Sequence, residues 1–249
     1  MNAAKIVFSP TGGTERAADI IAAGLGEIAA TVDLTRGDCG CEINCDIAVI
    51  AVPSYGGRVP ALAAERLAKI KANGVKCVTV CVYGNRAYED TLIELNALAE
   101  KSGFNVIAAV SAVAEHSIIH KYAAGRPDKA DEDELGRFAA KIREKAESGS
   151  KETPSVPGNR PYKKTGGGAL VPKAGRDCTA CGQCARNCPS GAIDLSDPKK
   201  VDGKKCISCM RCVVKCPQKA RTVNGALISA AALAIKKACS ERKGNELFI

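Results

Sequence analysis

The first half of the chain alternates short apolar runs with longer stretches in which apolar residues recur at helical spacing. Residues 46–52 and 75–82 are apolar at most positions, which is typical of parallel strands buried on both faces. Three further apolar runs predict strands at residues 5–8, 30–34 and 104–113. The pattern therefore predicts five strands in this half of the chain.

Helices are predicted between these strands. After the first strand, apolar or small residues lie at i, i+3, i+4, i+7 and i+8, at Ala17, Ile20, Ile21, Gly24 and Leu25. Further helices are predicted at residues 60–71, 88–101 and 131–147, the first with a proline in its first turn. This alternation predicts an α/β domain in which helices cover both faces of a parallel sheet.

The loop after the first strand has the composition of an anion site. It reads SPTGGT and supplies the candidate residues Ser9, Thr11, Gly12, Gly13 and Thr14. Hydroxyl groups and free backbone N–H groups at a helix N-terminus favour a bound anion. The loop has neither the lysine of a P-loop nor a G-x-G-x-x-G pattern, which disfavours ATP and NAD. We expect a monophosphate here; the alternative is a plain glycine-rich turn.

Two more strand-end loops carry candidate ligand-binding residues. The loop after the third strand contains Pro53, Ser54, Tyr55, Gly56, Gly57 and Arg58, and the loop after the fourth contains Tyr83, Gly84, Asn85, Arg86 and Tyr88. Both combine aromatic rings with glycines and an arginine, which suits a flat heterocycle at the carboxyl edge of the sheet. The alternative is that the tyrosines only cover loop surface.

Eight of the 14 cysteines form two quartets near the C-terminus. Each quartet has the spacing C-x2-C-x2-C-x3-C-P, which is the bacterial ferredoxin signature for two [4Fe-4S] clusters. Because the fourth cysteine of each run ligates the other cluster, one predicted site consists of Cys178, Cys181, Cys184 and Cys216. The other consists of Cys206, Cys209, Cys212 and Cys188.

Other interpretations of the cysteines fit less well. Structural zinc sites usually pair two C-x2-C hooks across a longer spacer, and a disulfide framework belongs to an oxidising compartment. The N-terminus, MNAAKIVF, lacks the apolar region and cleavage site of a signal peptide, so we expect a cytoplasmic protein. Cys77 and Cys81 are expected to be buried thiols, and Cys39, Cys41 and Cys45 to be non-ligating.

The net charge of +9 is unevenly distributed. Residues 1–150 hold 17 Lys and Arg against 20 Asp and Glu, whereas residues 151–249 hold 19 against 7. Part of the basic excess offsets the negative clusters, and the rest predicts a docking surface for an acidic redox partner. No stretch of basic residues interleaved with aromatic ones indicates nucleic-acid binding, and no apolar run reaches the length of a membrane span.

These motifs resemble a family of anaerobe proteins that fuse flavodoxin to ferredoxin. SPTGGT resembles the phosphate loop of flavodoxins, and PSYGGRVP and YGNRAYED accompany it in the fusion family. The resemblance implies a flavodoxin-like five-stranded parallel sheet of order 2-1-3-4-5 and a small C-terminal α+β ferredoxin domain with two clusters. It also implies FMN, with its phosphate on residues 9–14 and its ring between residues 53–58 and 83–88. By this resemblance Tyr55 is the expected stacking residue. The chain departs from the family in having no Trp, which many flavodoxins stack against the ring.

The implied domains are residues 1–147 for FMN and residues 176–224 for the clusters. Residues 148–175, rich in Pro, Gly and Ser, form the expected linker, and residues 225–249 are expected to pack back on the body as a helix and tail. We expect a soluble, low-potential electron-transfer protein that relays electrons between FMN and the clusters to or from a protein partner. The alternatives are a reductase with a small substrate over the flavin, in which His116 is a candidate proton donor, and a redox sensor.

Overall fold

The computed structural model describes residues 1–164 and 170–249. Strands and helices alternate through the first part as β1 (Asn2–Val7), α1 (Gly13–Leu25), β2 (Glu27–Asp33), β3 (Ile47–Pro53), α2 (Ala61–Leu67), β4 (Lys76–Tyr83), α3 (Thr91–Lys101), β5 (Asn105–Val113) and α4 (Lys129–Glu147). The second part contains β6 (Lys173–Ala174), α5 (Gln183–Arg186), α6 (Arg211–Val214), β7 (Arg221–Thr222), α7 (Gly225–Ile235) and β8 (Glu246–Phe248).

The main sheet has the order β2-β1-β3-β4-β5-β8. Strands β1 to β5 are all parallel, which confirms the predicted order 2-1-3-4-5. This is the flavodoxin-like order of a doubly wound sheet, whose switch point lies between β1 and β3. The sixth strand, β8, pairs antiparallel with β5 and was not predicted. It comes from the C-terminus of the chain and covers what would otherwise be a sheet edge.

Two apolar cores lie on opposite faces of this sheet. Helices α1 and α4 cover one face, and α2 and α3 cover the other. The close contact between α1 and α4 depends on Gly24, because a Cβ at this position would lie 2.5 Å from the Cβ of Ala139. The prediction of helices on both faces is therefore confirmed.

Two helix boundaries differ from the prediction by three residues or more. Helix α2 ends at Leu67 instead of residue 71, because Lys71 forms an isolated bridge with Glu42. Helix α3 begins at Thr91 instead of residue 88. Glu89 there has a φ of 44°, a left-handed conformation that interrupts helical geometry.

The cysteine-rich segment is built from two copies of one backbone motif. The residue two positions after the first cysteine of each quartet has a positive φ, 54° at Ala180 and 52° at Ser208. Two residues further on, Gly182 and Met210 are the left-handed N-caps of α5 and α6. The repeat is therefore structural as well as sequential, with an offset of 28 residues between equivalent positions.

Residues 148–164, before the cysteine-rich segment, contact the first part of the chain through Asp90. Its carboxylate accepts hydrogen bonds from the backbone nitrogens of Asn159, at 2.9 Å, and Lys163, at 2.7 Å. The Arg58 guanidinium donates to the Lys163 carbonyl, at 2.7 Å, and lies over the Tyr162 ring, at 4.9 Å. This stretch is therefore fixed on the flavodoxin-like domain.

After the cysteine-rich segment, the chain returns to the same domain. Helix α7 packs on the loop after β5, and the Tyr122 hydroxyl donates to the Ala232 carbonyl at 2.7 Å. Asn85 donates to the Glu241 carbonyl, at 2.8 Å, and accepts from the Lys243 nitrogen, at 3.1 Å. Together with β8, these bonds attach the C-terminal tail to the carboxyl edge of the sheet.

Within residues 1–164 and 170–249, no helix has the length and apolar character needed to cross a bilayer.

A buried ion pair between Arg126 and Asp131 lies where the tail meets the start of α4. Asp131 accepts hydrogen bonds from the Arg126 Nε, at 2.8 Å, and the Asn245 side chain, at 3.0 Å, and forms a capping box with Asp128. Burial alone would raise the pKa of Asp131, but the hydrogen bonds from Arg126, Asp128 and Asn245 hold it well below the usual range. Asp131 is therefore ionised in the folded protein at all ordinary pH values.

Replacing Asp131 with Asn is expected to destabilise the protein by about 3 kcal/mol at pH 7, because Arg126 remains buried without a counter-charge. The midpoint of thermal unfolding, followed by circular dichroism, is expected to fall by about 6–12 °C. Asp133→Asn on the same helix is the control, since its pair with Lys129 is exposed and exposed pairs contribute little.

The same pair has a defined pH dependence. Because the folded-state pKa of Asp131 is lowered, its contribution is complete above the unfolded-state pKa of about 3.9 and declines as the pH falls below that value. The difference between wild type and Asp131→Asn should be smaller at pH 3 than at pH 7. An equal difference at both pH values would contradict this account.

Candidate functional site

A cavity of about 760 Å³ lies at the carboxyl edge of the parallel sheet. Loops after β1, β3, β4 and β5 form most of its wall, and the cysteine-rich segment forms the rest. The volume lies within the range of small-molecule and cofactor sites, about 300–1,000 Å³. The predicted residues among its lining are Thr11, Gly13, Thr14, Pro53, Ser54, Tyr55, Gly56, Tyr83 and Gly84.

The loop after β1 brings the start of α1 to one end of the large cavity. Gly12 is the N-cap with a φ of 98°, and no side chain caps the helix from this position. Ser9 instead accepts a hydrogen bond from the Glu15 nitrogen at 2.9 Å. The first N–H groups of α1 therefore receive no hydrogen bond from the N-cap residue, which has no side chain. The helix dipole favours an anion beside them.

The loop after β3 places Tyr55 in the wall of the large cavity. Burial raises the pKa of the Tyr55 phenol, and the neighbouring Cys209 adds to the rise. The phenol is therefore uncharged. Its proximity to Cys209 shows that the loop after β3 also faces the cysteine-rich segment.

Both predicted arginines lie outside the lining of the large cavity. Arg58 forms a bidentate pair with Glu94, with Nε and Nη2 each 2.7 Å from a carboxylate oxygen. Arg86 pairs with Glu89 at 3.1 Å. Each guanidinium therefore has a carboxylate partner.

Three further predicted residues contribute to the framework of the loops. Asn85 is buried and bonded to the C-terminal tail. The Tyr88 hydroxyl donates to Glu246 of β8 at 2.6 Å. Gly57 has a φ of 85°, and a Cβ there would lie 1.8 Å from the Glu89 carboxylate. The tail thus determines the shape of the loop after β4.

His116 lines the large cavity beyond the end of β5. Its Nδ1 accepts hydrogen bonds from the backbone nitrogens of Ile118 and Ile119, both at 3.2 Å. Burial lowers the pKa of His116, and the charges of His120 and Arg86 lower it further. A neutral ring whose Nδ1 accepts must hold its proton on Nε2, so His116 presents an N–H donor.

The opposite wall comes from the cysteine-rich segment and consists of Gly203, Lys204, Cys206, Ile207 and Ser208. Ile207 packs against the core beneath α2 and α3. The Ser208 hydroxyl is buried and has no hydrogen-bond partner among the described residues. Since buried hydroxyls are normally satisfied, this hydroxyl indicates a bound group in the cavity or at the neighbouring cysteines.

The eight cysteines of the two quartets line two small cavities. The outer cysteine group, Cys178, Cys181, Cys184 and Cys216, lines one of them. The inner cysteine group, Cys188, Cys206, Cys209 and Cys212, lines the other. Each group takes three cysteines from one quartet and the last cysteine of the other, as the ferredoxin pattern requires.

The inner cysteine group also contacts the large cavity, because Cys206 lines both. Burial raises the pKa of the Cys209 thiol to about 11 and that of Cys212 to about 12. Metal binding therefore has to displace these protons, because thiolates are the ligands. Within residues 1–164 and 170–249, no three His, Cys, Asp or Glu side chains are placed to hold a single metal ion.

The remaining cysteines lie apart from both groups. Cys77 and Cys81 are fully buried in β4, and burial raises the pKa of both thiols. Cys39 donates to the Arg66 carbonyl and Cys45 to the Ile47 carbonyl.

A second, smaller cavity of about 180 Å³ lies beside the loop after β1. Arg211 and Lys215 of the cysteine-rich segment line it together with Ser9 and Asp33. The Arg211 guanidinium donates to the Ser9 carbonyl at 3.4 Å, and its Nη2 lies 3.9 Å from Asp33. Arg211 therefore connects a turn between two inner cysteines to the loop that starts α1.

The wall formed by the cysteine-rich segment was not predicted from the sequence. Cysteine spacing shows which thiols converge but carries no information about the face that docks on another domain. One signal was present: Ile207 is apolar in an otherwise polar stretch, KKCISC, and its burial requires a partner surface.

The cysteine-rich segment matches a known protein family. Residues 177–221 match the family model of a 4Fe-4S dicluster domain. No curated protein matches the chain.

The solved structures that are similar to this chain include flavodoxins, each over a little more than half of its length. A flavodoxin of Streptococcus pneumoniae TIGR4 is 22% identical, with 58% of this chain and 99% of that chain covered and a TM-score of 0.42. An archaeal flavodoxin is 14% identical over 59% and 99% of the two chains, with a TM-score of 0.40. A WrbA-like flavodoxin of Agrobacterium tumefaciens is 17% identical over 59% and 98%, with a TM-score of 0.39. The fold assignment itself depends on the strand order.

The assigned tautomer of His116 has a spectroscopic signature. We expect ¹⁵N NMR of the protein to show a neutral ring with its proton on Nε2 at pH 7, because Nδ1 accepts two backbone N–H bonds. The chain has only two histidines, so loss of one set of signals in His116→Gln assigns the resonances. A protonated ring, or a proton on Nδ1, would contradict the geometry.

Proposed function

We propose that the protein transfers electrons within one chain between FMN in the large cavity and two [4Fe-4S] clusters on the two cysteine groups. The observation that carries the proposal is the position of Cys206, which belongs to the inner cysteine group and also lines the large cavity. A cofactor in that cavity and a cluster on that group would be neighbours. Short separations of this kind are what electron transfer between cofactors requires.

Several features support FMN as the occupant of the large cavity. The start of α1 offers backbone N–H groups for a phosphate, and Tyr55 and Tyr83 supply aromatic surface beside glycines. Ser208 has a buried hydroxyl without a partner among the described residues. We propose that residues 9–14 hold the phosphate and that Tyr55 contacts the ring.

The donor sets support two cubane clusters. Each cysteine group offers four sulfur atoms. Backbone N–H groups already bond to one sulfur in each group, from Ala192 to Cys188 and from Ala220 to Cys216, both at 3.3 Å. Such N–H bonds to sulfur are among the means by which proteins tune cluster potentials.

The proposed order of transfer is between the flavin and the inner cluster, and between the inner and the outer cluster. The inner cysteine group adjoins the large cavity through Cys206, whereas no cysteine of the outer group lines that cavity. Cys181 of the outer group is exposed. The flavin exchanges electrons in pairs or singly and each cluster exchanges one, so together they join two-electron to one-electron chemistry. The chain's part is to hold the two cysteine groups and the loops at fixed positions and to exclude water between them.

The outer group is the proposed contact point for a redox partner. Pro198 lines the outer cavity, and the two residues after it, Lys199 and Lys200, are exposed. Basic side chains around an exposed cluster favour a partner with an acidic surface, and they mainly increase the rate of association. We propose that such a partner docks beside Cys181.

A reductase is the second candidate function. The observation that favours it is His116, whose Nε2–H donor lines the large cavity beyond the β4 loop together with Ser117 and Ile118. A small acceptor bound there would lie beside the flavin with a hydrogen-bond donor in reach. Turnover of a small molecule by the purified protein, without any protein partner, would favour this function over the relay.

Anaerobic reconstitution tests the relay. We expect one FMN and about eight iron atoms per chain, with the flavin reduced through the clusters. Cys216→Ala is expected to lose the outer cluster, retain about four iron atoms and still exchange electrons between FMN and the inner cluster. Cys188→Ala is expected to lose the inner cluster, and with it the path from the flavin to the outer cluster.

Cys45→Ala is the matched control, because Cys45 lies outside both groups, and its iron content should equal that of wild type. If Cys188→Ala and Cys216→Ala both retain two intact clusters, the ligand assignment is wrong. If the reconstituted protein holds no FMN, the relay itself is wrong.

A further inference from the structure

Arg221 is a buried cation located between the two cysteine groups. It lines the cavity of the outer group and that of the inner group, and only 1% of its surface is exposed. Among the described residues, Arg221 is the largest with less than 2% of its surface exposed. A charged group in this position needs an explanation, because arginine is rarely buried without a partner.

The partners of Arg221 do not neutralise its charge. Nη1 donates to the Pro172 carbonyl at 3.0 Å, and Nη2 donates to the Pro198 carbonyl. The Nε–H group is buried and has no partner in the described part of the chain. Two backbone carbonyls satisfy part of the guanidinium, but no carboxylate within residues 1–164 and 170–249 pairs with it. The negative charge that compensates it must therefore come from a bound group.

The internal repeat shows that the fold does not require arginine at this position. Arg221 lies five residues after Cys216, and its equivalent, five residues after Cys188, is Ile193. Both have strand-like pairing, Ile193 with Val201 and Arg221 with Ala174. One half of the repeat thus fills the position with an apolar side chain and the other with a permanent cation.

We propose that Arg221 sets the reduction potentials of both clusters, an inference that depends on the proposed binding of two clusters. Reduction adds one electron to a cluster, with no bond broken and no proton taken up, so the cluster becomes more negative by one charge. A buried cation next to both cavities stabilises that added charge strongly, because the surroundings are poorly screened. Its free Nε–H is a hydrogen-bond donor available to cluster sulfur, which acts in the same direction.

The charge also acts on both clusters from one position. A single residue beside both cavities raises the two potentials together. A common shift raises the potential of the pair without separating the two clusters in potential. Arg221 is in this sense a tuning residue, distinct from the cysteines that hold the iron.

The test is a redox titration of both clusters, followed by electron paramagnetic resonance, in the reconstituted full chain. For Arg221→Gln we expect the equilibrium constant for reduction of each cluster to fall at least about tenfold, which is about 59 mV for a one-electron couple. Arg221→Ile, which copies the equivalent Ile193, should show the same fall. Arg221→Lys keeps the charge and is expected to keep both potentials near those of wild type.

The matched control is Arg186→Gln. Arg186 is exposed, and its Nη2 donates to the carbonyl of Cys181 at 2.9 Å. The substitution therefore removes a cation that lies close to the outer group but is screened by water. This variant should change neither potential by more than about twofold in the equilibrium constant, since exposed charges are screened.

The outcomes separate this inference from the proposed function. Wild-type protein that binds no clusters would overturn the proposed function, whatever Arg221 does. Arg221→Gln or Arg221→Ile with a full iron content and unchanged potentials would overturn the tuning role, and a change in only one cluster would overturn the shared role. If neither neutral variant retains clusters, Arg221→Lys decides: potentials near wild type support the role of charge, and a fall in both overturns it.

Discussion

The attachment of the cysteine-rich segment to the carboxyl edge of the sheet is the constraint on which the rest of the structure depends. The chain is fixed on the flavodoxin-like domain before this segment, through Asp90 and Arg58, and again after it, through Asn85 and β8. A segment attached at both ends has far less freedom than one on a single tether. The wall of the large cavity can therefore be built from two distant parts of the chain.

Side chains from the segment itself complete the attachment. Ile207 is inserted against the core under α2 and α3, and the Arg66 guanidinium donates to the Pro189 carbonyl, next to Cys188, at 2.6 Å. Both contacts lie beside inner cysteines, so they position the inner group more directly than the outer one. The outer group lies nearer to solvent, with Cys181 exposed.

Three arginines of the protein differ in whether a carboxylate neutralises them. Arg58 and Arg86, which the sequence suggested for the flavin site, are paired with Glu94 and Glu89. Arg221, in the second part of the chain, is buried between the cysteine groups and has no carboxylate partner among the described residues. The basic excess of residues 151–249 is thus partly internal, since Arg221 belongs to it.

Much of the fold could be predicted because its signals are local. The strand order follows from alternating buried strands and amphipathic helices, and the cysteine spacing alone indicates how ligands are shared between two sites. The strand β8 could not be predicted, since three residues, Glu246 to Phe248, carry too short a pattern to recognise. Its pairing with β5 depends on where α7 directs the chain.

The positions of single side chains were less predictable, because they depend on contacts with other parts of the chain. Whether Arg58 faces a ligand or Glu94 depends on a helix more than 30 residues away in sequence. His116 was one residue among several after β5, and only the turn that brings Ile118 and Ile119 to its Nδ1 fixes its donor. The face of the cysteine-rich segment that meets the large cavity depends on both attachments at once.

The central claim is that flavin and clusters exchange electrons within one molecule because the two attachments hold them side by side. The most direct measurement is the rate of electron transfer between cluster and flavin after flash photoreduction of the reconstituted protein, at protein concentrations that span a tenfold range. The account predicts a first-order rate that does not change with protein concentration. A rate that rises in proportion to concentration would show transfer between molecules and would contradict it.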